Sequence, residues 1–165
     1  MPRKTITVAK EERIISPEEL LADGEEILRI IVYGSAATKK NHGQLIKVRG
    51  RTIMIPSKQC IAYGKICKPV MEAAWKGIGK NPMDFGISID MRVWLQTWRV
   101  GDINNYQAAI ADFLQDYGVI ADDSWVHWHN PEGIHWLQGI DKENPRVELI
   151  ISRFKHPKEE YRNSK

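Results

Sequence analysis

The sequence has almost no cysteine and no long apolar run. No apolar stretch approaches the roughly 18 residues of a membrane-spanning segment, so none is predicted. The opening residues, MPRKTITVAKEER, lack the apolar centre of a secretory signal. Cys60 and Cys67 are the only cysteines, too few for a disulfide framework. Their spacing puts both on one helix face, where we expect small buried side chains in a reducing cytoplasm.

Acidic residues are scarce in one half of the chain and basic residues in the next. Residues 27–80 contain eleven Lys or Arg and one acid, Glu72, whereas residues 81–145 contain ten acids and three bases. This asymmetry predicts a surface that binds a polyanion beside a site that binds a cation. The alternative is that the two sets of charges interleave in the folded protein and neutralise each other.

The length of the chain suits one domain with a hydrophobic core. We expect a polar N-terminal arm over 1–26, a single domain over 27–154 and a polar C-terminal tail over 155–165. The predicted strands are 27–33, 44–48, 51–55, 86–98, 124–130 and 145–154, and the predicted helices are 57–74 and 104–117. This order indicates an α+β fold, in which two main helices cover a mixed β-sheet.

Local signals define the limits of several elements. Arg49 and Gly50 separate two strands and predict a β-hairpin turn. Pro69 lies inside the first predicted helix and is expected to kink or end it. Gly118 follows the second predicted helix and is a typical C-terminal stop. In the strand 86–98, alternate residues from Ile87 are apolar, which predicts one buried face.

Aspartates flank the second predicted helix. Asp102 comes just before it, and Asp122 and Asp123 follow it. If the returning segment 118–121 is extended and joins the sheet, or if a second subunit contributes, these carboxylates can meet around Mg²⁺. This ion prefers oxygen ligands and commonly takes one or two carboxylates together with a phosphate. The alternative is that Asp102 caps the helix and the other two aspartates form a turn.

The same stretch resembles the signature of the RusA family of Holliday junction resolvases, which come from phages and prophages. The matching positions are Asp102, Asn105, Asp112, Gly118, Asp122, Asp123 and Ser124. Three further segments are similar: TKKN at 38–41, IPS at 55–57 and PRVELII at 145–151. The resemblance covers roughly residues 27–152, and its 102–124 motif is moderately specific.

The resemblance implies a homodimer that depends on Mg²⁺, with Mn²⁺ as an alternative ion, and that makes paired nicks in four-way DNA junctions within a bacterial or phage-infected cell. In this interpretation Asp102, Asn104 and Asp123 are catalytic, and the same three residues together with Asp122 hold the metal. The basic residues of the first half would hold the DNA backbone. They are Lys39, Lys40, Asn41 (a polar member of the same loop), Lys47, Arg49, Arg51 and Lys58.

Two positions depart from the family pattern and leave other functions open. Asn104 stands where the family has a second Asp, and Ala108 stands where it has a Lys. An Asn lowers the negative charge available to a metal, and the lost Lys removes a cation that could stabilise a phosphoryl transition state. A protein that binds junctions without cutting them is therefore one alternative. A nuclease for other branched or flap DNA is another.

A pair of histidines offers a separate candidate metal site. His127 and His129 are two residues apart on a predicted strand and should share a face. Such a pair can bind a transition metal. The alternative is a packed, partly exposed aromatic face, because tryptophans 125 and 128 interleave with the histidines.

Overall fold

The five-stranded sheet and its helices follow the order that the sequence predicts, with one additional strand and one additional helix. The computed structural model describes residues 23–38, 43–97, 101–129 and 138–164. The strands are β1 Glu26–Tyr33, β2 Gln44–Val48, β3 Arg51–Ile55, β4 Ile87–Leu95, β5 Val126–His129, β6 Gln138–Ile140 and β7 Arg146–Arg153. The helices are α1 Lys58–Lys76, α2 Ile103–Asp116 and α3 Pro157–Asn163. The prediction of an α+β fold with a mixed sheet is confirmed.

Strand β4 is the centre of the main sheet. It pairs antiparallel with β7, which pairs antiparallel with β1, and its other edge pairs in parallel with β5 and then β6. Each residue of β5 pairs with the β4 residue 39 positions earlier in the sequence, as Val126 does with Ile87. In β6 this difference is 45, as between Gln138 and Val93. Strands β5 and β6 therefore lie one after the other along the same edge of β4. The chain between them has six residues more than the stretch of β4 that it passes.

Burial on β4 follows the predicted alternation. Every second residue from Ile87 to Leu95 is buried, and the residues between them are partly or fully exposed. The inward side chains of β1, β4 and β7 form one apolar core with buried residues of α1 and α2. Since both helices contribute to this core, they cover the same face of the sheet.

Helix α1 begins and ends close to the predicted positions. Ser57 caps it by accepting a hydrogen bond from the Cys60 backbone N–H at 3.1 Å. Pro69 lies within the helix without ending it. Cys60 and Cys67 are free and buried, as predicted, and burial raises the pKa of the Cys67 thiol to about 12.

The hairpin formed by β2 and β3 is a separate two-stranded sheet. Arg49 and Gly50 have φ values of 48° and 79°, the positive pair that a type I′ turn requires. The predicted hairpin is thus confirmed. Its apolar side chains stay largely exposed: Leu45 is 68% and Met54 is 73% accessible. We call this element, residues 43–55, the hairpin arm.

The C-terminal segment differs from the prediction of a polar tail, because it contains α3. His156 caps this helix in a reciprocal capping box with Glu159. Glu159 also pairs with Arg153 and accepts a hydrogen bond from the Gly86 backbone N–H at 2.8 Å. These contacts fasten α3 to the end of the sheet at which β4 begins.

The predicted N-terminal arm, 1–26, lies mostly outside the described residues. Its last residues are attached to the domain: Gly24 donates a backbone hydrogen bond to Arg153, and Asp23 accepts one from the Lys155 backbone N–H. Strand β1 begins at Glu26. In the described part of the chain, no helix has both the length and the apolar character needed to cross a membrane.

Candidate functional site

Asp102 acts as the N-cap of α2. Its Oδ1 accepts a hydrogen bond from the Asn104 backbone N–H at 2.9 Å, and both residues are exposed. An Asp at this position is favoured because its carboxylate satisfies a backbone donor that the helix cannot. The capping function predicted as an alternative is therefore present, and it engages Oδ1.

Asp122 and Asp123 form an exposed turn before β5. Asp122 caps a 3₁₀ turn, Asp123–Trp125, and its Oδ1 accepts a hydrogen bond from the Ser124 backbone N–H at 2.9 Å. Hydrogen bonds from the Ser124 side chain and backbone lower the pKa of the Asp122 carboxyl, and the charge of Lys158 lowers it further. The turn predicted as the alternative role of these two aspartates is therefore present.

The segment that returns from α2 does not join the main sheet as expected. Within 118–121, Ile120 forms an isolated parallel bridge with Met83, a residue that precedes β4. The next strand, β5, then begins with Val126 beside Ile87, the first residue of β4. The segment after α2 therefore lies at the end of the sheet where β4 starts.

The two carboxylate groups consequently lie at opposite ends of α2. Asp102 caps the start of the helix, and Asp122 and Asp123 follow its end, where β4 starts. A helix of 14 residues is about 21 Å long. The expected convergence within one subunit is not observed, because the parallel register of β4 and β5 fixes the direction of the helix between them.

Lys158 is a member of this region that sequence reasoning missed. Its Nζ donates a hydrogen bond to Ser124 Oγ at 2.6 Å and lies 4.3 Å from the centre of the Trp125 ring. No spacing in the sequence indicates a contact between residues 34 apart. The capping pattern of His156, Pro157 and Glu159 could, however, have revealed the helix that carries Lys158.

The hairpin arm concentrates positive charge at its turn. Lys47, Arg49 and Arg51 are exposed on it, and Lys58 is exposed in the first turn of α1. None of these four side chains makes an ion pair with a carboxylate of the described ranges. The other predicted DNA-binding residues, Lys39, Lys40 and Asn41, lie outside the described residues.

His127 and His129 share the exposed face of β5, as predicted, but they have different partners. His129 Nδ1 lies 2.8 Å from Asp90 Oδ1, and the His127 ring stacks on Phe154 with ring centres 4.4 Å apart. Among residues 23–38, 43–97, 101–129 and 138–164, no three His, Cys, Asp or Glu side chains are grouped as a metal site.

Comparison with known proteins adds no relative to this picture. No family model matches the chain, and a search of curated proteins finds no match. The chemistry available is thus that of the side chains themselves: two exposed carboxylate groups at the ends of α2, a lysine beside one of them, and a basic arm.

Proposed function

We propose that this protein is a metal-dependent endodeoxyribonuclease that resolves four-way DNA junctions by paired nicks, and that it acts as a homodimer in the cytoplasm. The observation that carries the proposal is the 102–124 motif, most of whose apolar residues are buried while its aspartates 102, 122 and 123 are exposed. An exposed carboxylate is accessible to a hydrated cation and to DNA.

The hairpin arm supports binding to the DNA backbone. It carries Lys47, Arg49 and Arg51 and no acid between residues 43 and 57. Contacts between cations and phosphates supply most of the sequence-independent affinity for DNA, and a two-stranded ribbon fits into a DNA groove. An arm of this shape suits the opening at the centre of a junction.

The carboxylates fit the ligand preference of Mg²⁺ or Mn²⁺. Asp102 with Asn104 would hold the ion from one end of α2, and Asp122 with Asp123 from the other. When bound, such an ion activates water and offsets charge on the phosphodiester. Since the two groups are one helix length apart in a subunit, an ion shared by Asp102 and Asp123 requires a second subunit. A two-fold dimer supplies one and also matches the near two-fold symmetry of a junction.

A junction-binding protein without turnover is the second candidate. Asn104 and Ala108 favour it, because the first lowers the charge of the metal ligands and the second lacks a cation on α2. The separation of the carboxylates along α2 favours it as well. In this case we expect tight, salt-sensitive binding to a junction without cleavage, and the double change Asn104→Asp with Ala108→Lys should create activity.

Cleavage of a labelled four-way junction by matched variants tests the proposal. Asp102→Asn and Asp123→Asn each retain an amide oxygen in place of the carboxylate, so that the charge is the main change. We expect each to lower the cleavage rate by about 100-fold or more. The exposed Glu143→Gln serves as the control and should cleave at the wild-type rate. Wild-type rates in both aspartate variants would refute the assignment.

Mixing the two inactive variants tests whether the ion is shared between subunits. A heterodimer of Asp102→Asn with Asp123→Asn has one composite site with both changes and one with neither. Recovery of single nicks in the mixture supports the shared site. No recovery counts against an ion shared between the subunits. Flap and three-way substrates run in parallel show whether a branch other than the four-way junction is preferred.

A further inference from the structure

Helix α3 brings a lysine to the acidic turn that begins at Asp122. Lys158 Nζ is 2.6 Å from Ser124 Oγ, and Ser124 in turn donates its backbone N–H to Asp122 Oδ1. A carboxylate, a hydroxyl and an ammonium group therefore meet in one exposed turn. Nothing in this arrangement is needed to build the core, because the three side chains are all exposed.

A further contact orients the Lys158 side chain. Its ammonium group lies 4.3 Å from the centre of the Trp125 ring, and Trp125 is itself buried, with 5% of its surface accessible. A cation over a tryptophan face is attracted by the ring, and the more so as water is excluded. The contact with the buried Trp125 ring thus restricts the Lys158 side chain, unlike that of an ordinary solvated lysine.

The backbone beneath Lys158 is fastened as well. The neighbouring Glu159 pairs with Arg153 and accepts a hydrogen bond from Gly86 N–H, and Arg162 pairs with Asp84 at 3.3 Å. These contacts join α3 to the segment that leads into β4. The backbone that carries Lys158 is therefore attached to the domain beside the acidic turn.

We propose that Lys158 is a catalytic residue that donates a hydrogen bond to a non-bridging oxygen of the scissile phosphodiester at the Asp122–Ser124 turn. This inference rests on the proposed function. A lysine ammonium has three N–H donors; one is used by Ser124, so others remain for a phosphate. Two aspartates in the same turn repel a phosphodiester, and a fixed cation compensates for that repulsion and for the charge that develops during displacement.

Charge-selective variants of Lys158 test this assignment. Lys158→Met keeps most of the aliphatic stem and should lower the single-turnover cleavage rate by about 100-fold, with junction affinity changed less than about threefold, as expected for one of many phosphate contacts. Lys158→Arg keeps a cation and should recover part of the rate. The control Lys155→Met removes an exposed lysine that pairs with Glu160 at 3.6 Å and should cleave normally.

The outcomes separate this proposal from the proposed function. If the wild-type protein cleaves and Lys158→Met cleaves within twofold of it, the role of Lys158 is refuted while the nuclease stands. Circular dichroism and the thermal midpoint of each variant confirm that α3 and the domain are folded, and rescue by Lys158→Arg excludes a purely structural loss.

A binding measurement decides the case in which the wild-type protein does not cleave. The ¹⁵Nζ resonance of Lys158 is followed by NMR while an unlabelled four-way junction is added, with Lys155 as the internal reference. A shift of the Lys158 signal that exceeds that of Lys155 supports contact with a phosphate, whereas the catalytic role of Lys158 fails together with the nuclease proposal. An unmoved Lys158 signal at saturation overturns the inference.

Discussion

The hairpin arm and the main sheet are built from similar residues but bury them differently. Leu149 on β7 is fully buried, whereas Leu45 on β2 is 68% accessible. Both strands alternate apolar and polar residues in part, but among the residues that the structure describes, helices pack on one face of the main sheet and leave the arm uncovered. The comparison shows that an alternating apolar pattern is not enough to bury a strand. The strand is buried only where another element covers it.

The same comparison separates the tasks of the two regions. The main sheet holds the ends of α2 and the acidic turn at fixed positions, because its strands pair along most of their length. The arm is a two-stranded hairpin, and an isolated hairpin is marginally stable in water. Its exposed cations and apolar side chains therefore suit an element that becomes ordered against a partner, which we propose to be DNA.

Matched leucine truncations should give the largest difference between the two regions. Leu149→Ala should lower the free energy of unfolding by about 2–5 kcal/mol, because it leaves a cavity in a packed core. Leu45→Ala should change it by less than about 0.5 kcal/mol. Chemical denaturation followed by circular dichroism measures both. Similar losses in the two variants would mean that the arm is covered in solution, contrary to the account.

The contacts of Glu159 that attach α3 to the sheet should make the stability of the domain decrease in acid. Burial raises the pKa of Glu159, but hydrogen bonds from Arg153, Gly86 and His156 outweigh it, so the net pKa is below the ordinary 4.5. The stabilisation is therefore fully present above about pH 4.5 and is lost as pH falls through the folded-state pKa. Thermal midpoints between pH 7 and pH 3 should fall less steeply for Glu159→Gln than for wild type.

The exposed Glu160→Gln variant is the control for that experiment. Glu160 pairs with Lys155 where both side chains are exposed, so its loss should leave the pH profile of the thermal midpoint nearly unchanged. If Glu159→Gln and wild type lose stability in parallel as the pH falls, Glu159 is not the source of the acid sensitivity.

Neutralising the arm should change DNA binding and leave folding intact. Replacing Lys47, Arg49 and Arg51 by glutamine should reduce the slope of log affinity against log salt by about 2.7, if each cation releases one counterion equivalent. Titration of a labelled junction by fluorescence anisotropy at several salt concentrations gives the slope. The exposed Lys142 and Lys155, changed together, form the control. An unchanged slope in the arm variant would exclude the arm from the DNA interface.

The turn of the arm should give the smallest effect. Asn followed by Gly is the preferred pair in a type I′ turn, so Arg49→Asn should keep the hairpin or make it more ordered while it removes one charge. We expect a change of less than about 0.5 kcal/mol in unfolding free energy and a decrease of about 0.9 in the salt slope. Gly50→Ala, at φ 79°, should instead disorder the hairpin in NMR spectra.

Much of the fold could be predicted because it is encoded locally. The alternation from Ile87 to Leu95 and the helical spacing that ends at Gly118 are properties of short segments, and both elements form as expected. Helix α3 was missed because it has only seven residues, although the capping box of His156 and Glu159 was visible.

The arrangement of the candidate site depends on long-range pairing and could not be predicted in the same way. The separation of Asp102 from Asp123 follows from Val126 lying beside Ile87, a register that no local pattern specifies. The approach of Lys158 to Ser124 likewise requires β7 and α3 to be in place first. Residue types indicated which groups matter for the proposed chemistry, but only the sheet register indicates which of them are neighbours.

Incubation of the purified protein with a labelled mobile four-way junction, in Mg²⁺ and separately in Mn²⁺, tests the central claim most directly. Native gels report binding and denaturing gels report cleavage. The account predicts symmetric nicks on two opposing strands that require the divalent ion. An uncut junction in both metals would contradict it: with a shifted band the junction-binding candidate would replace the nuclease, and without one neither candidate would survive.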